Sequence, residues 1–242
     1  MMEYTREFTI CMSHCGQSGA LELPNLFALM LDAATEHAEA LGIGSKLVRE
    51  KGVFWLTARS SARLLALARL GQRVTLKTRI AGIRGSHSVR EYSLYCGKTE
   101  IASCDTTFIA ATLPDMRQID IASVCPDLLP EAAAPERPRR RIGGDTAGAR
   151  CLGQYTVRSV DIDLGGHMNN AVYPEVLFGL YSSRELADRP MRSMEIAYRA
   201  PCFEGDVLTA FEREEEGGRA LILMKDGRPA ALAWAEDAAG ER

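Results

Sequence analysis

The sequence has no C-x-x-C pair and no even set of cysteines; its seven are scattered at 11, 15, 96, 104, 125, 151 and 202. That spacing argues against a disulfide framework and for free thiols in a reducing compartment. No run of about 18 apolar residues occurs that could cross a bilayer. The opening MMEYTREFTI lacks the basic stretch followed by an apolar segment that marks a secretory signal. A soluble, cytoplasmic protein is therefore expected. Positive charge is short as well: the formal net charge is −3, which turns the reading away from proteins that coat phosphate backbones and from a nucleic-acid partner. Cys11, His14 and Cys15 lie close together, but a fourth ligand at useful spacing is missing, so neither a metal nor another cofactor is expected.

What is present is enough apolar residue, 46% of 242, to build a sizeable core in one large domain or two small ones. Glu7 to Cys11 reads as a strand leading into the turn Cys15 to Gly19. Pro24 suits the first turn of a helix and Gly42 its C-terminal end. Between them Leu26, Phe27, Met30, Leu31, Ala34, Ala38 and Leu41 recur at helical spacing, with Asp32, Glu36 and Glu39 on one wet face. That places His37 on the wetter half. Strands follow at Val53 to Thr57, Arg73 to Ile83, Ser88 to Cys96 and Glu100 to Thr112, a meander able to enclose the helix.

Residues 126–150 carry Pro126, Pro130, Pro135, Pro138 and Gly143-Gly144, the composition of a linker. This divides the chain into units at 1–125 and 151–242. After the linker the order returns: a strand at Gln154 to Val160, a glycine turn, a helix from about Asn170 to Leu186, then strands near Met194 to Tyr198, Asp206 to Glu212, Ala220 to Met224 and Pro229 to Ala235. Gly71-Gln72-Arg73-Val74-Thr75 and Gly205-Asp206-Val207-Leu208-Thr209 open comparable strands. An α+β unit used twice is the expectation. Glu212 to Glu216 reads as a charged hairpin tip, His87 as a turn residue, and the Arg137 to Arg141 run as solvated linker or a surface for an acidic partner.

Residues 161–170, DIDLGGHMNN, concentrate chemistry. Asp163 stands four residues before His167, with Gly165-Gly166 leaving the backbone free to turn and to approach a ligand. Backbone N–H groups of Met168, Asn169 and Asn170, beside a helix start, form a candidate oxyanion hole. Taken alone, D-x-x-x-H is also the pattern of ordinary capping and turn residues.

Further residues narrow the choice. Asp163, Gly165, His167, Met168, Asn169 and Asn170 stand at the places of a D-x-N-x-H-V-N-N stretch, Phe54-Trp55 and Arg59 follow the first helix, and Met194-Glu195-Ile196-Ala197-Tyr198-Arg199 matches an E-Y-R strand. In these the chain resembles the acyl-acyl-carrier-protein thioesterases, as a bacterial member similar to the plant enzymes. The resemblance implies two tandem hotdog domains, each a long central helix wrapped by an antiparallel β-sheet, the first recognising the acyl chain and the second catalytic. It also implies Asp163, His167, Asn169 and Cys202 as catalytic residues, and Asn170, Phe54 and Trp55 as substrate-binding ones. The sequence departs from the plant pattern at Gly165, where a polar Asn is usual, and at Pro201-Cys202, where an acidic residue precedes the cysteine.

The implied reaction is hydrolysis of a fatty acyl thioester to free acid, in fatty acid biosynthesis, with Asp163 as base or attacking carboxylate and His167 orienting the thioester. The implied partner is an acyl carrier protein with its acyl-phosphopantetheine, or else acyl-CoA, and two chains could pair as a homodimer. A hotdog protein that binds an acyl thioester without cleaving it is the competing class.

Overall fold

The computed structural model describes residues 3–113, 115–128 and 140–238. Strand β1 (Tyr4–Thr9) alternates half-buried and exposed residues, as a strand with one covered face should. Helix α1 (Leu23–Ala40) carries Pro24 in its first turn, where a missing N–H is no loss. It buries Leu23, Leu26, Phe27, Leu29, Met30, Ala33 and Ala34, each such side chain contributing about 1.5–3 kcal/mol when large and apolar. A short α2 (Ser45–Lys51) leads into β2 (Val53–Leu64), β3 (Arg73–Arg84), β4 (His87–Cys96) and β5 (Thr99–Thr112), and α3 (Ile121–Val124) closes the first half.

The second half supplies β6 (Arg150–Thr156), α4 (Val172–Gly179), α5 (Ser183–Asp188), β7 (Met191–Tyr198), β8 (Val207–Glu215), β9 (Gly218–Lys225) and β10 (Arg228–Asp237). Among the described residues, ten strands form one sheet in the order β1-β3-β4-β5-β2-β7-β10-β9-β8-β6. Each half thus repeats the other's strand order about the antiparallel β2–β7 seam, where Arg59 faces Ala197 and Arg63 faces Ser193. Across that seam Arg59 Nη1 meets Glu195 Oε1 at 2.5 Å. Helices α1 and α4 pack on each other, so the fold is a pair of hotdog units sharing one sheet.

The duplication extends to single hydrogen bonds. Ile10 N–H donates to Gln72 C=O and Gly71 N–H to Ile10 C=O; Val157 and Gly205 make the matching bonds with Asp206 and Val157. All four are 2.9 Å long.

Several expectations need correction. The second helix does not run unbroken to Leu186: it stops at Gly179, and Ser182 restarts the chain as an N-cap whose side chain accepts from Glu185 N–H, with Glu185 bonding back to Ser182 N–H. The strand expected to reach Val160 ends at Thr156, followed by a 3₁₀ turn at Ser159–Asp161. His37 is buried rather than wet, because β4 brings Arg90 against it. Glu212 is a buried strand residue, not a hairpin tip; it accepts from Tyr181 Oη and lies 3.2 Å from Arg219 Nη1. Of the arginine run, residues 137–139 lie outside the described residues, while Arg140 sets its guanidinium 3.7 Å over the Trp234 ring.

Candidate active site

The Asp163–His167 segment is a tight hairpin. Gly166 N–H donates to Asp163 C=O and Asp163 N–H to His167 C=O, both at 3.0 Å, with Ile162 and Met168 bridged beyond them. A three-residue loop of this kind needs a left-handed third residue, and Gly166 supplies it at φ +77°. Asp163 Oδ1 tightens the turn by accepting Gly165 N–H at 2.7 Å. The hairpin brings Asp163 and His167 side by side, Oδ1 and Nδ1 3.6 Å apart, with side chains 28% and 23% exposed.

Two residues the sequence reading did not single out hold this turn in place. Asp161 is 3% exposed; it accepts hydrogen bonds from Tyr155 Oη and Arg158 N–H, and its own C=O takes Asn169 N–H at 2.8 Å. Burial pushes the Asp161 carboxyl upward, but its bonds to Arg158 and Tyr155 hold it below the usual range. Tyr198 donates from its hydroxyl to Asn170 C=O at 3.1 Å. The D-I-D spacing and the tyrosine of the E-Y-R strand were the available signals for both.

The expected oxyanion hole is narrower than its three donors. Met168 N–H is taken by Cys202 C=O at 2.7 Å, and Asn169 N–H by Asp161. Among the described residues Asn170 N–H has no partner, and its side-chain amide makes no hydrogen bond. Asn169 instead caps the approach to α4, its Oδ1 accepting Ala171 N–H at 2.9 Å.

A cavity of about 490 Å³ opens against this turn. Asp163, Gly165, His167, Asn169 and Asn170 line one part; Leu31, Ala34 and Ala38 of α1 with Phe54 and Trp55 of β2 line another. The cavity is therefore built jointly by the two halves, in the size range of small-molecule sites. Cys202 does not line it. It is fully buried among core residues, and burial pushes its thiol upward, away from the thiolate that nucleophilic chemistry requires.

Gly165 is explained by its neighbour. A Cβ there would stand 2.9 Å from His167 Nε2 and 3.0 Å from Asp163 Oδ1, so the imidazole uses the space a side chain would need. The first half holds the same hairpin: Gly19 N–H donates to Gly16 C=O, Gly16 N–H to Ala20 C=O, and Cys15 bridges Leu21. Gly16 and Ala20 occupy the positions of Asp163 and His167, and Glu22 folds its carboxyl over Gly16. The acid–imidazole pair thus stands on one of two equivalent turns.

Two hotdog units joined through one sheet, with an apolar cavity between helix and strands, define the class: a tandem hotdog protein. The model of the acyl-ACP thioesterase N-terminal domain matches residues 1–129, and that of the acyl-ACP thioesterase C-terminal domain matches residues 146–232. The chain belongs to the acyl-ACP thioesterase family, which implies thioester hydrolysis. Among solved structures it is similar to an acyl-ACP thioesterase from Bacteroides thetaiotaomicron, at 20% identity and TM-score 0.86 over 98% of both chains. It is also similar to the 12:0-ACP thioesterase from Umbellularia californica, at 17% identity and TM-score 0.87 over 98% of this chain and 97% of that one. No curated protein matches the chain.

Proposed function

We propose that the protein hydrolyses a fatty acyl group from the phosphopantetheine thiol of an acyl carrier protein, releasing free fatty acid and holo-carrier protein. The observation that carries this reading is the Asp163–His167 pair on the wall of a mainly apolar cavity that is also lined by Leu31, Ala34 and Ala38 of α1 with Phe54 and Trp55. The acyl chain lies along that apolar lining, and family membership supports the carrier protein as donor.

In the proposed reaction Asp163 takes a proton from water as the water oxygen attacks the thioester carbon. The resulting oxyanion is met by Asn170, through its unused backbone N–H and side-chain amide, a contribution of about 3–4 kcal/mol per donor in well-studied sites. Collapse expels the thiolate, which takes up the proton from Asp163; a thiol of pKa about 8.5 leaves with little acid assistance. His167 beside Asp163 orients the carboxylate and the carbonyl. Asn169 acts through the turn, and Cys202 has no part.

The test is free-thiol release from acyl-carrier-protein and acyl-CoA panels of increasing chain length, with Asp163→Asn as control. Release from carrier-bound chains that is lost in Asp163→Asn supports the reading. Release from CoA thioesters alone would reassign the donor, and no release from any thioester would replace hydrolysis with binding.

A further inference from the structure

Arg90 is a charged residue on the cavity wall with no charged partner. It is 4% exposed and lines the same cavity as Asp163 and His167. Its hydrogen bonds leave from one nitrogen: Nη1 donates to His37 Nδ1 at 2.7 Å and to Thr78 Oγ1 at 3.4 Å. Among the described residues no carboxylate pairs with it, and Nε and Nη2 have no protein acceptor.

His37, which does not itself line the cavity, anchors the guanidinium. It accepts from Arg90 at Nδ1, so the neutral ring carries its proton on Nε2, and that atom is buried without a partner. Ser88, 4% exposed, lines the cavity on the same strand. A buried guanidinium left unpaired is costly, and a wholly hydrocarbon ligand would leave it so.

Position separates this corner from the chemistry. The Asp163 turn is bonded to the segment after β7, through Met168 N–H and Cys202 C=O. Arg90 is on β4, and the sheet order β4-β5-β2-β7 puts it three strands away, roughly 14 Å at the usual strand spacing. In between, its row continues through Thr106 and Ser60.

Resting on the thioesterase reading above, we infer that Arg90 is a specificity-determining residue that receives a carboxylate at the far end of the acyl chain, so that the preferred substrates are half-thioesters of dicarboxylic acids. The free Nε and Nη2 form the side-on fork that a carboxylate fills with two parallel hydrogen bonds, a geometry a hydroxyl or a methyl end leaves incomplete.

The experiment compares pantetheine thioesters of monocarboxylic and dicarboxylic acids, matched in length across a series, on the wild-type protein, Arg90→Met and Arg90→Lys. The wild type is expected to favour the carboxylate-ended thioester at its best length by at least about tenfold in kcat/KM. Arg90→Met should reverse that preference and gain on methyl-ended chains, and Arg90→Lys should retain charge but lose most of the preference because the fork is gone. Equal or better turnover of methyl-ended chains at every length by the wild type overturns the inference, as does full preference in Arg90→Lys. Calorimetric titration with the free mono- and dicarboxylic acids reads the same preference without hydrolysis. If no thioester is cleaved, that titration still decides the role of Arg90 while the hydrolytic reading falls.

Discussion

The imidazole of His167 lies over Gly165, its Nε2 2.9 Å from the point where a side chain at residue 165 would begin. The polar side chain that the plant pattern carries there and the ring orientation seen here are mutually exclusive. Gly165→Ala and Gly165→Asn should therefore both displace the ring. Because a misplacement of about 1 Å can cost on the order of a hundredfold, kcat/KM is expected to fall at least about tenfold. The turn is exposed, so the melting temperature should stay within about 2 °C. Steady-state kinetics beside a thermal melt checks both, and unchanged kinetics would show that His167 works from another orientation.

The first-half hairpin is a natural control for the second. It closes with the same hydrogen bonds while carrying Gly16 and Ala20 in place of the acid and imidazole. The double variant Asp163→Gly/His167→Ala should accordingly fold, losing about 1 kcal/mol for the added glycine, while thioester hydrolysis drops by about 10²–10⁴. Circular dichroism and thiol release together decide; residual turnover near wild type would move the chemistry off this turn.

Asn169 and Asn170 should part company on substitution. Asn170→Ala removes a side-chain donor facing the cavity and should lower kcat by about a hundredfold with little change in stability. Asn169→Ala removes the acceptor for Ala171 N–H and should cost about 1 kcal/mol of stability with a smaller loss of kcat. Equal kinetic effects from the two would contradict the assignment.

Cys202→Ala should keep hydrolysis close to wild type and lower the melting temperature by a few degrees, as expected for about 1 kcal/mol in a chain of this size. A thiol-specific reagent should label exposed Cys11 and Cys151 quickly and buried Cys104 and Cys202 only on unfolding. Rapid inactivation that maps to Cys202 would restore it to the mechanism.

Stability should fall in mild acid. Burial, helped by the nearby Arg90 charge, pulls the His37 pKa down to about 4 from 6.5. Above pH 6.5 the ring is neutral both folded and unfolded, so nothing is lost. As pH drops below 6.5 the unfolded state takes the proton first, and stability declines until about pH 4. The full loss is on the order of 3 kcal/mol. Melting temperatures between pH 7 and 4 should show it, and His37→Gln should flatten that part of the profile; an unchanged slope would mean other groups carry it.

How much of this was legible in the sequence depends on the reach of each interaction. The first helix could be read because Pro24, Gly42 and the apolar stripe between them are local signals, and the repeated order of elements because each element announces itself. The break at Gly179 was hidden because its cause is shared between a Ser182 cap and the packing of Tyr181 on Glu212, a residue three elements further on. The partner of Arg90 was invisible for the same reason: α1 meets β4 only once the sheet has wrapped. At the Asp163–His167 turn, sequence spacing placed the acid beside the imidazole but could not show that Met168 and Asn169 had already committed their N–H groups to Cys202 and Asp161.

The β2–β7 seam has a consequence for how such a protein can change. An assembly of two identical chains must accept every substitution twice, once on each side of its symmetry axis. Here a substitution at Ala20 has no echo at His167, nor one at Arg90 on any catalytic strand. On the roles proposed for the Asp163 turn and Arg90, chemistry and choice of acyl group can drift independently, each tuned by single replacements, because fusion has made the two sides of one cavity separate inheritances.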